Sequence, residues 1–162
     1  MAIQGGKGRA SVTTSTGEPR LASEVTVFLK NMYDLNLSII QDLRPILEKQ
    51  QGIDLRLYFI LHTVDQGTVN PGAIAQAIRL PNSLVTKHLD QLAQKSLLER
   101  SIDPSDSRRV LVKLTAKGRQ VMDSADAVLA AQVGKRLAKV SPKQRSEFLA
   151  TLVALANENG GA

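Results

Sequence analysis

Two helix-start signals lie ten residues apart in this chain, at Asn70-Pro71 and Leu80-Pro81-Asn82-Ser83, and together they impose two short helices with a tight turn between them. Asn70 offers a side-chain acceptor ahead of Pro71, and proline suits a first helical position because its missing N–H would go unbonded there. Pro81 then breaks the first helix and allows a second from about Pro81 to Lys95. In that second helix Val85, Leu89 and Leu92 point inward, while Asn82, Ser83, Thr86, Lys87 and Gln91 fall on other faces. Its outer face is polar and compact.

The neighbouring segments extend this unit. Asp54 is placed to cap a helix whose Leu57, Ile60, Leu61 and Val64 recur at i, i+3, i+4 and i+7, stopping near Gly67. After the paired helices, Leu97 to Ser101 and Val110 to Leu114 alternate like strands, joined by a loop that reads as too long and too polar for a two-residue hairpin turn. Upstream, Leu21, Val25, Phe28, Met32, Leu35 and Ile39 form one apolar stripe on a long helix, which Pro45 is expected to kink or end before a short turn from Ile46 to Gly52. Downstream, a helix from Thr115 carries Val121, Ala125, Val128 or Leu129, and Leu137. Ser141-Pro142-Lys143-Gln144 forms a capping box that opens a last helix with Phe148, Leu149, Leu152, Val153 and Leu155.

The predicted fold is mainly α, in the α+β sense, with a winged helix-turn-helix lobe and two-stranded wing over residues 53–115. Flanking it are an N-terminal dimerisation helix region, 20–52, and C-terminal dimerisation helices, 116–162. The central core is thin, so mutual packing of the terminal stripes, chain against chain, is the economical use of them. Residues 1–19, rich in Gly, Ser and Thr without a period, are expected to be a disordered tail. No internal repeat recurs at a fixed period.

Composition narrows the chemistry. The 162 residues include no cysteine, which closes disulfides, thiolate metal sites and thiol redox sensing. No apolar run approaches the roughly 20 residues of a membrane span, and the start lacks the apolar core of a secretion signal. A cytoplasmic, nucleoid-associated protein without membrane contact is expected. Lysine and arginine number 21 against 15 aspartates and glutamates, a formal +6. From Asn82 to Arg119 there are eight cations and four anions, so most of that surplus sits in the predicted lobe, as phosphate neutralisation requires.

The most distinctive stretch is "DPSDSRRVLVKLTAKG", Asp103 to Gly118. Its D-P-x-D-x-R run followed by V-x-L-T-x-x-G comprises Asp103, Pro104, Asp106, Arg108, Val112, Leu114, Thr115 and Gly118. With the helices before it, "IAQAIRLPNSLVTKHLDQLAQKSLLERSI", it resembles the winged lobe of the MarR (multiple antibiotic resistance regulator) family of transcription regulators. The resemblance covers about Leu21 to Asn157. It implies that a wing arginine, here Arg108, enters a minor groove, with Asp106 as the orienting partner of arginine. Arg109 beside it departs from the family pattern and could add a phosphate contact. Asp103 and Asp106 also carry turn chemistry of their own, and both readings hold together.

Independently of any family, a helix of this length fits the major groove, and its first turns reach base edges. Asn82, Ser83, Thr86, Lys87 and Gln91 are therefore the candidate DNA contacts, with Arg108 and Arg109 on the wing. The plain alternative is the solvated face of an amphipathic helix. His88, on the same helix, reads as a flanking or phosphate contact. The expected partner is a pseudo-palindromic double-stranded operator bound by a homodimer, and the expected role is a repressor.

Members of the resembled family commonly respond to a small aromatic acid or phenolic compound bound between the lobe and the dimer helices, others to oxidants through cysteine. Without cysteine, a small-molecule effector or none remains, and Tyr33, Arg56, Tyr58 and His62 are the ligand-contact candidates, each equally readable as a packed residue. No cofactor, metal or catalysis is expected: there are two histidines, no phosphate-cradling glycine loop and no HExxH. The remaining alternatives are a regulator without an effector and a winged helix used only for protein contacts.

Overall fold

The computed structural model describes residues 18–157. The expected tail is thus left outside the described residues up to residue 17, whereas Glu18 and Pro19 already belong to the first helix. Eight elements follow in order: α1 (Glu18–Gln51), α2 (Leu55–Asp65), α3 (Pro71–Ala77), α4 (Asn82–Gln94), β1 (Leu98–Asp103), β2 (Asp106–Leu114), α5 (Ala116–Leu137) and α6 (Pro142–Ala156). The chain divides into two compact units, one up to Ser38 and one from Ile39 onward.

In the first unit, the stripe residues Val25, Phe28 and Leu35 are all exposed. In the second, a single cluster forms the core, with Leu43, Leu47, Ile53, Leu57, Ile60, Leu61, Ile74, Val85, Leu89, Leu92, Leu97 and Val112 almost wholly buried. Every inward position read from α2 and α4 takes part.

Pro45 does not end α1, which runs unbroken to Gln51. The ring is exposed, as is Gln41, whose carbonyl is the one left without an N–H partner, so water can satisfy it. Leu43 and Leu47 on either side are 1% and 0% exposed, and their burial holds the helix together across the proline. An Arg44 Nε–Glu48 Oε1 pair at 2.9 Å spans the same turn. Tertiary packing has overridden local preference, and the expected turn from Ile46 to Gly52 is helical as far as Gln51.

The starts of α2, α3 and α6 are closed by the expected side chains, and Thr115 closes that of α5. Asp54 Oδ1 accepts from Leu57 N at 2.8 Å, Asn70 Oδ1 from Gly72 N at 2.9 Å, and Thr115 Oγ1 from Gly118 N at 2.9 Å. The Ser141–Gln144 capping box is formed in both directions. The turn between α3 and α4 passes through Arg79 at φ 52°, a left-handed conformation that costs a non-glycine residue energy.

The wing differs from expectation in its loop. β1 and β2 pair antiparallel from Leu98↔Leu114 to Ile102↔Val110, and the hairpin is closed by Asp103↔Asp106, leaving only Pro104 and Ser105 as the turn. Asp103 makes so short a turn possible by accepting from Ser105 N at 2.8 Å and Ser105 Oγ at 2.7 Å. The polar residues taken for loop are instead strand: Ser107, Arg108 and Arg109 lie between two successive pairs of the ladder with no β1 residue opposite them, a pronounced bulge. Val112 N also donates to Val69 O at 2.8 Å, tying the hairpin to the segment before α3.

The wing returns into α5 through a close contact. Thr115 N donates to Leu97 O at 3.1 Å and Thr115 Oγ1 to Ser96 O at 2.7 Å. Gly118 passes so near that a Cβ built on it would lie 2.0 Å from Leu97 O. Only glycine fits.

Candidate nucleic-acid interface

Helix α4 has two unlike faces. Val85, Leu89 and Leu92 are in the core, while Asn82, Ser83, Thr86, Lys87 and Gln91 are all exposed along the first three turns. The Lys87 ammonium has no ion pair among the described residues. Thr86 Oγ1 donates to Asn82 O at 2.9 Å, so toward solvent it offers lone pairs and a methyl group. The helix begins at Pro81 without a side-chain cap, unlike α2, α3, α5 and α6. Its first N–H groups and the positive end of its dipole therefore face outward uncovered, a favourable place for an anion.

His88 does not sit on that outer face. It is buried, and both ring nitrogens are enclosed without a hydrogen-bond partner among the described residues. The expectation of a flanking or phosphate contact is corrected accordingly: at i+3 from Val85 and i+4 toward Leu92, this position falls within the buried stripe.

On the wing, Asp106 distributes its oxygens between the two arginines. Oδ1 accepts the backbone N–H of Arg108 at 3.0 Å, and Oδ2 lies 3.3 Å from Nε of Arg109. The guanidinium held by Asp106 is thus that of Arg109, and that of Arg108 has no ion pair among the described residues. Bulging pushes both out of the ladder. Asp103, braced by the Ser105 hydroxyl and N–H and near Arg109, has its carboxyl pKa held below the ordinary carboxylate value.

Three of the surrounding cations are internally engaged. Arg100 pairs with Asp90 of α4 at 2.8 Å, Arg119 with Asp65 at 2.6 Å, and Lys117 Nζ donates to Lys95 O at 2.8 Å. Lys87, Arg108 and Lys113 remain without anionic partners among the described residues. Part of the positive surplus read from the sequence therefore survives pairing.

The four ligand-contact candidates are not brought together. Tyr33 is exposed and belongs to the first compact unit. Tyr58 is buried, its hydroxyl donating to Asp126 Oδ1 of α5 at 2.5 Å. Burial first, and then Asp126, pushes its pKa up to about 12. His62 is exposed, its ring centroid 6.0 Å from that of Tyr58. Only Arg56 lines the cleft of the second unit, a space of about 610 Å³ bounded by α1, α2 and the end of α3. Its other walls include Ile40, Arg44, Leu55, Phe59, Ile78 and Leu80. Ile40, Arg44 and Glu48 follow at i, i+4 and i+8, a row that becomes visible once α1 is allowed to continue through Pro45. Arg44 is paired with Glu48, which raises its pKa, whereas Arg56 has no ion pair among the described residues.

These features can be set beside known proteins. The MarR family model matches residues 54–110, which is α2, the helix-turn-helix and the bulged part of the wing. The HTH-type transcriptional regulator YdgJ of Bacillus subtilis (strain 168) is 28% identical over 103 residues, covering 64% of this chain and 62% of that protein. YhbI of the same organism, also an HTH-type transcriptional regulator, is 25% identical over 127 residues, 76% of this chain and 82% of its own length. The match thus spans less than two thirds of YdgJ.

Among solved structures, the transcriptional regulator BldR from Sulfolobus solfataricus superimposes with a TM-score of 0.71 at 25% identity, covering 82% of this chain and 96% of that one. A mutant MarR from E. coli complexed with operator DNA gives a TM-score of 0.73 at 18% identity, covering 83% and 96%. With the capped starts of α2 and α3 and the bulged wing all falling within the matched residues, the segment 54–110 is similar to the MarR family, and the chain shares the winged helix-turn-helix fold of these structures.

Proposed function

We propose that the protein is a double-stranded-DNA-binding transcription regulator, acting as a homodimer on a pseudo-palindromic operator and serving as a repressor. The observation that carries this reading is the conjunction of a polar, uncapped α4 face with a bulged wing whose Arg108 guanidinium has no ion pair among the described residues. Asn82, Ser83, Thr86, Lys87 and Gln91 are assigned to base edges and nearby phosphates, Arg108 to the minor groove and Arg109 to the backbone. Asp103 and Asp106 shape the turn and orient the pair. The fold shared with an operator-bound MarR supports the same reading. A dimer is supported by the exposed apolar residues of the terminal helices, and it sets two recognition helices about one turn of DNA apart.

The effector is assigned to the cleft, as a small aromatic or phenolic acid. Arg56, without an ion pair among the described residues, supplies a guanidinium for a carboxylate, and Phe59, Ile40 and Leu80 supply apolar walls. Titration calorimetry with a panel of substituted benzoic acids checks this, and Arg56→Ala should abolish any binding seen.

The central test is a titration of upstream duplex over a range of salt. Affinity should fall steeply with salt, and Arg108→Ala should weaken binding by about tenfold or more, with the dimer intact. A salt-independent affinity would overturn the regulator reading in favour of a protein-contact module.

A further inference from the structure

One side of the wing carries an apolar pair that the arginine tip and recognition helix do not account for. In an antiparallel ladder, residues directly opposite one another project from the same face, and the face repeats every second residue. The pairs Leu98↔Leu114, Arg100↔Val112 and Ile102↔Val110 therefore share one face of the hairpin. At its base this face is core, with Leu98 and Val112 buried. Midway, Arg100 reaches across to Asp90 of α4 at 2.8 Å, which fixes the face as the one turned toward the recognition helix. Beyond that, Ile102 is 65% exposed and Val110 42% exposed, the last regular pair before the bulge that carries Arg108 and Arg109.

Along the hairpin the order is thus cation, apolar pair, cation. A recognition helix in a major groove and a wing tip in the adjacent minor groove straddle one sugar–phosphate strand, whose outer surface alternates anionic phosphate with largely apolar deoxyribose. We propose that Ile102 and Val110 pack against the deoxyribose rings of that strand and supply a salt-insensitive share of the affinity. This rests on the regulator reading above. Arg109, assigned to the backbone, would lie against one flanking phosphate while Arg108 enters the minor groove, and Arg100, engaged by Asp90, stays on the recognition-helix side of the apolar pair.

The test compares Ile102→Thr/Val110→Thr with Ile102→Leu/Val110→Leu in duplex titrations at several salt concentrations. Threonine keeps β-branching and the strand while removing apolar surface, and leucine keeps the surface. The threonine pair should bind roughly fivefold more weakly with an unchanged salt slope, and the leucine pair should bind like the parent. Parent-like affinity of the threonine pair overturns the inference, as does equal weakening of both pairs, or loss of self-association with DNA affinity intact, which would mark a contact with a second copy. If the parent itself binds no duplex, the regulator reading fails instead, a result separate from a parent that binds and a variant that matches it.

Discussion

The lobe around α2 to β2 and the terminal helices carry apolar stripes of similar regularity, yet they dispose of them in opposite ways. Leu57, Ile60 and Leu61 of α2 are sealed in the core, whereas Phe148, Leu149, Val153 and Leu155 of α6 and Val25 and Phe28 of α1 stand exposed. A stripe states that a face needs cover, and says nothing about whether the cover belongs to the same chain. The lobe is covered because its five elements, joined by short connections, converge on one core together with Leu43 and Leu47 of α1 and Met122 and Ala125 of α5. The terminal helices have apolar surface left over, and their stability is expected to depend on a second copy.

The two glycines of α5 give the sharpest contrast. Gly118, at the lobe end, has Leu97 O within 2.0 Å and Leu97 C within 2.9 Å of a built Cβ, both backbone atoms, and the oxygen already accepts from Thr115 N. Gly118→Ala should cost more than about 3 kcal/mol and lower the melting temperature by roughly 10 °C or more. Around Gly134, at the other end of the helix, nothing lies within 4 Å. Gly134→Ala should stabilise by about 0.5–1 kcal/mol through helix propensity alone. Should it weaken self-association, that surface is occupied by another chain, and the openness at Gly134 belongs only to the isolated protomer. Thermal melts at two protein concentrations separate these results.

An equal deletion placed in each region extends the comparison. Leu61→Ala, in the core, should destabilise by about 2–5 kcal/mol to the same extent at every protein concentration. Leu149→Ala removes the same atoms from an exposed helix face. Its effect should appear as a shift in the dimer–monomer equilibrium of the 17.5 kDa chain, on the order of tenfold, measured by sedimentation equilibrium. If Leu149→Ala leaves self-association untouched, α6 is not part of the dimer surface and the division of labour between the regions fails.

What the chain declares about itself follows the same division. Helix starts were legible because a cap is a local device: Asp54, Asn70, Thr115 and Ser141 each need only the next turn of backbone. The inner face of α4 was legible from its period; His88 was misread because its polar side chain was given more weight than its spacing, which puts it in the buried stripe. Pro45 misled because its local cost was outweighed by the burial of Leu43 and Leu47, which depends on residues remote in sequence. That error also hid the cleft, since Arg44 and Glu48 line it only if α1 continues. The wing loop was misread for a related reason. Polar composition suggested a long turn, but the Asp103–Ser105 hydrogen bonds allow a turn of two residues and the surplus residues become a bulge.

The smallest expected effect concerns the link between the two regions, where Tyr58 of α2 donates to Asp126 of α5 at 2.5 Å. Tyr58→Phe keeps the ring and removes the bond. Because Asp126 is exposed and can turn to water, the cost near neutral pH should be about 1 kcal/mol. The alkaline limb is more diagnostic. With its pKa pushed up to about 12 by burial and by Asp126, the folded protein holds the Tyr58 proton after the unfolded chain, near 10, has released it. A pKa raised on folding gives stability that is complete below about pH 10 and is lost as pH rises toward 12, on the order of 2 kcal/mol over that window. Lysines and arginines titrate in parent and variant alike, so the difference between their denaturant-unfolding curves isolates Tyr58. That difference should shrink from pH 10 to pH 12 and then reverse or vanish. A constant difference would mean that the hydroxyl is not held in the joint, and that α2 and α5 are coupled through apolar packing alone.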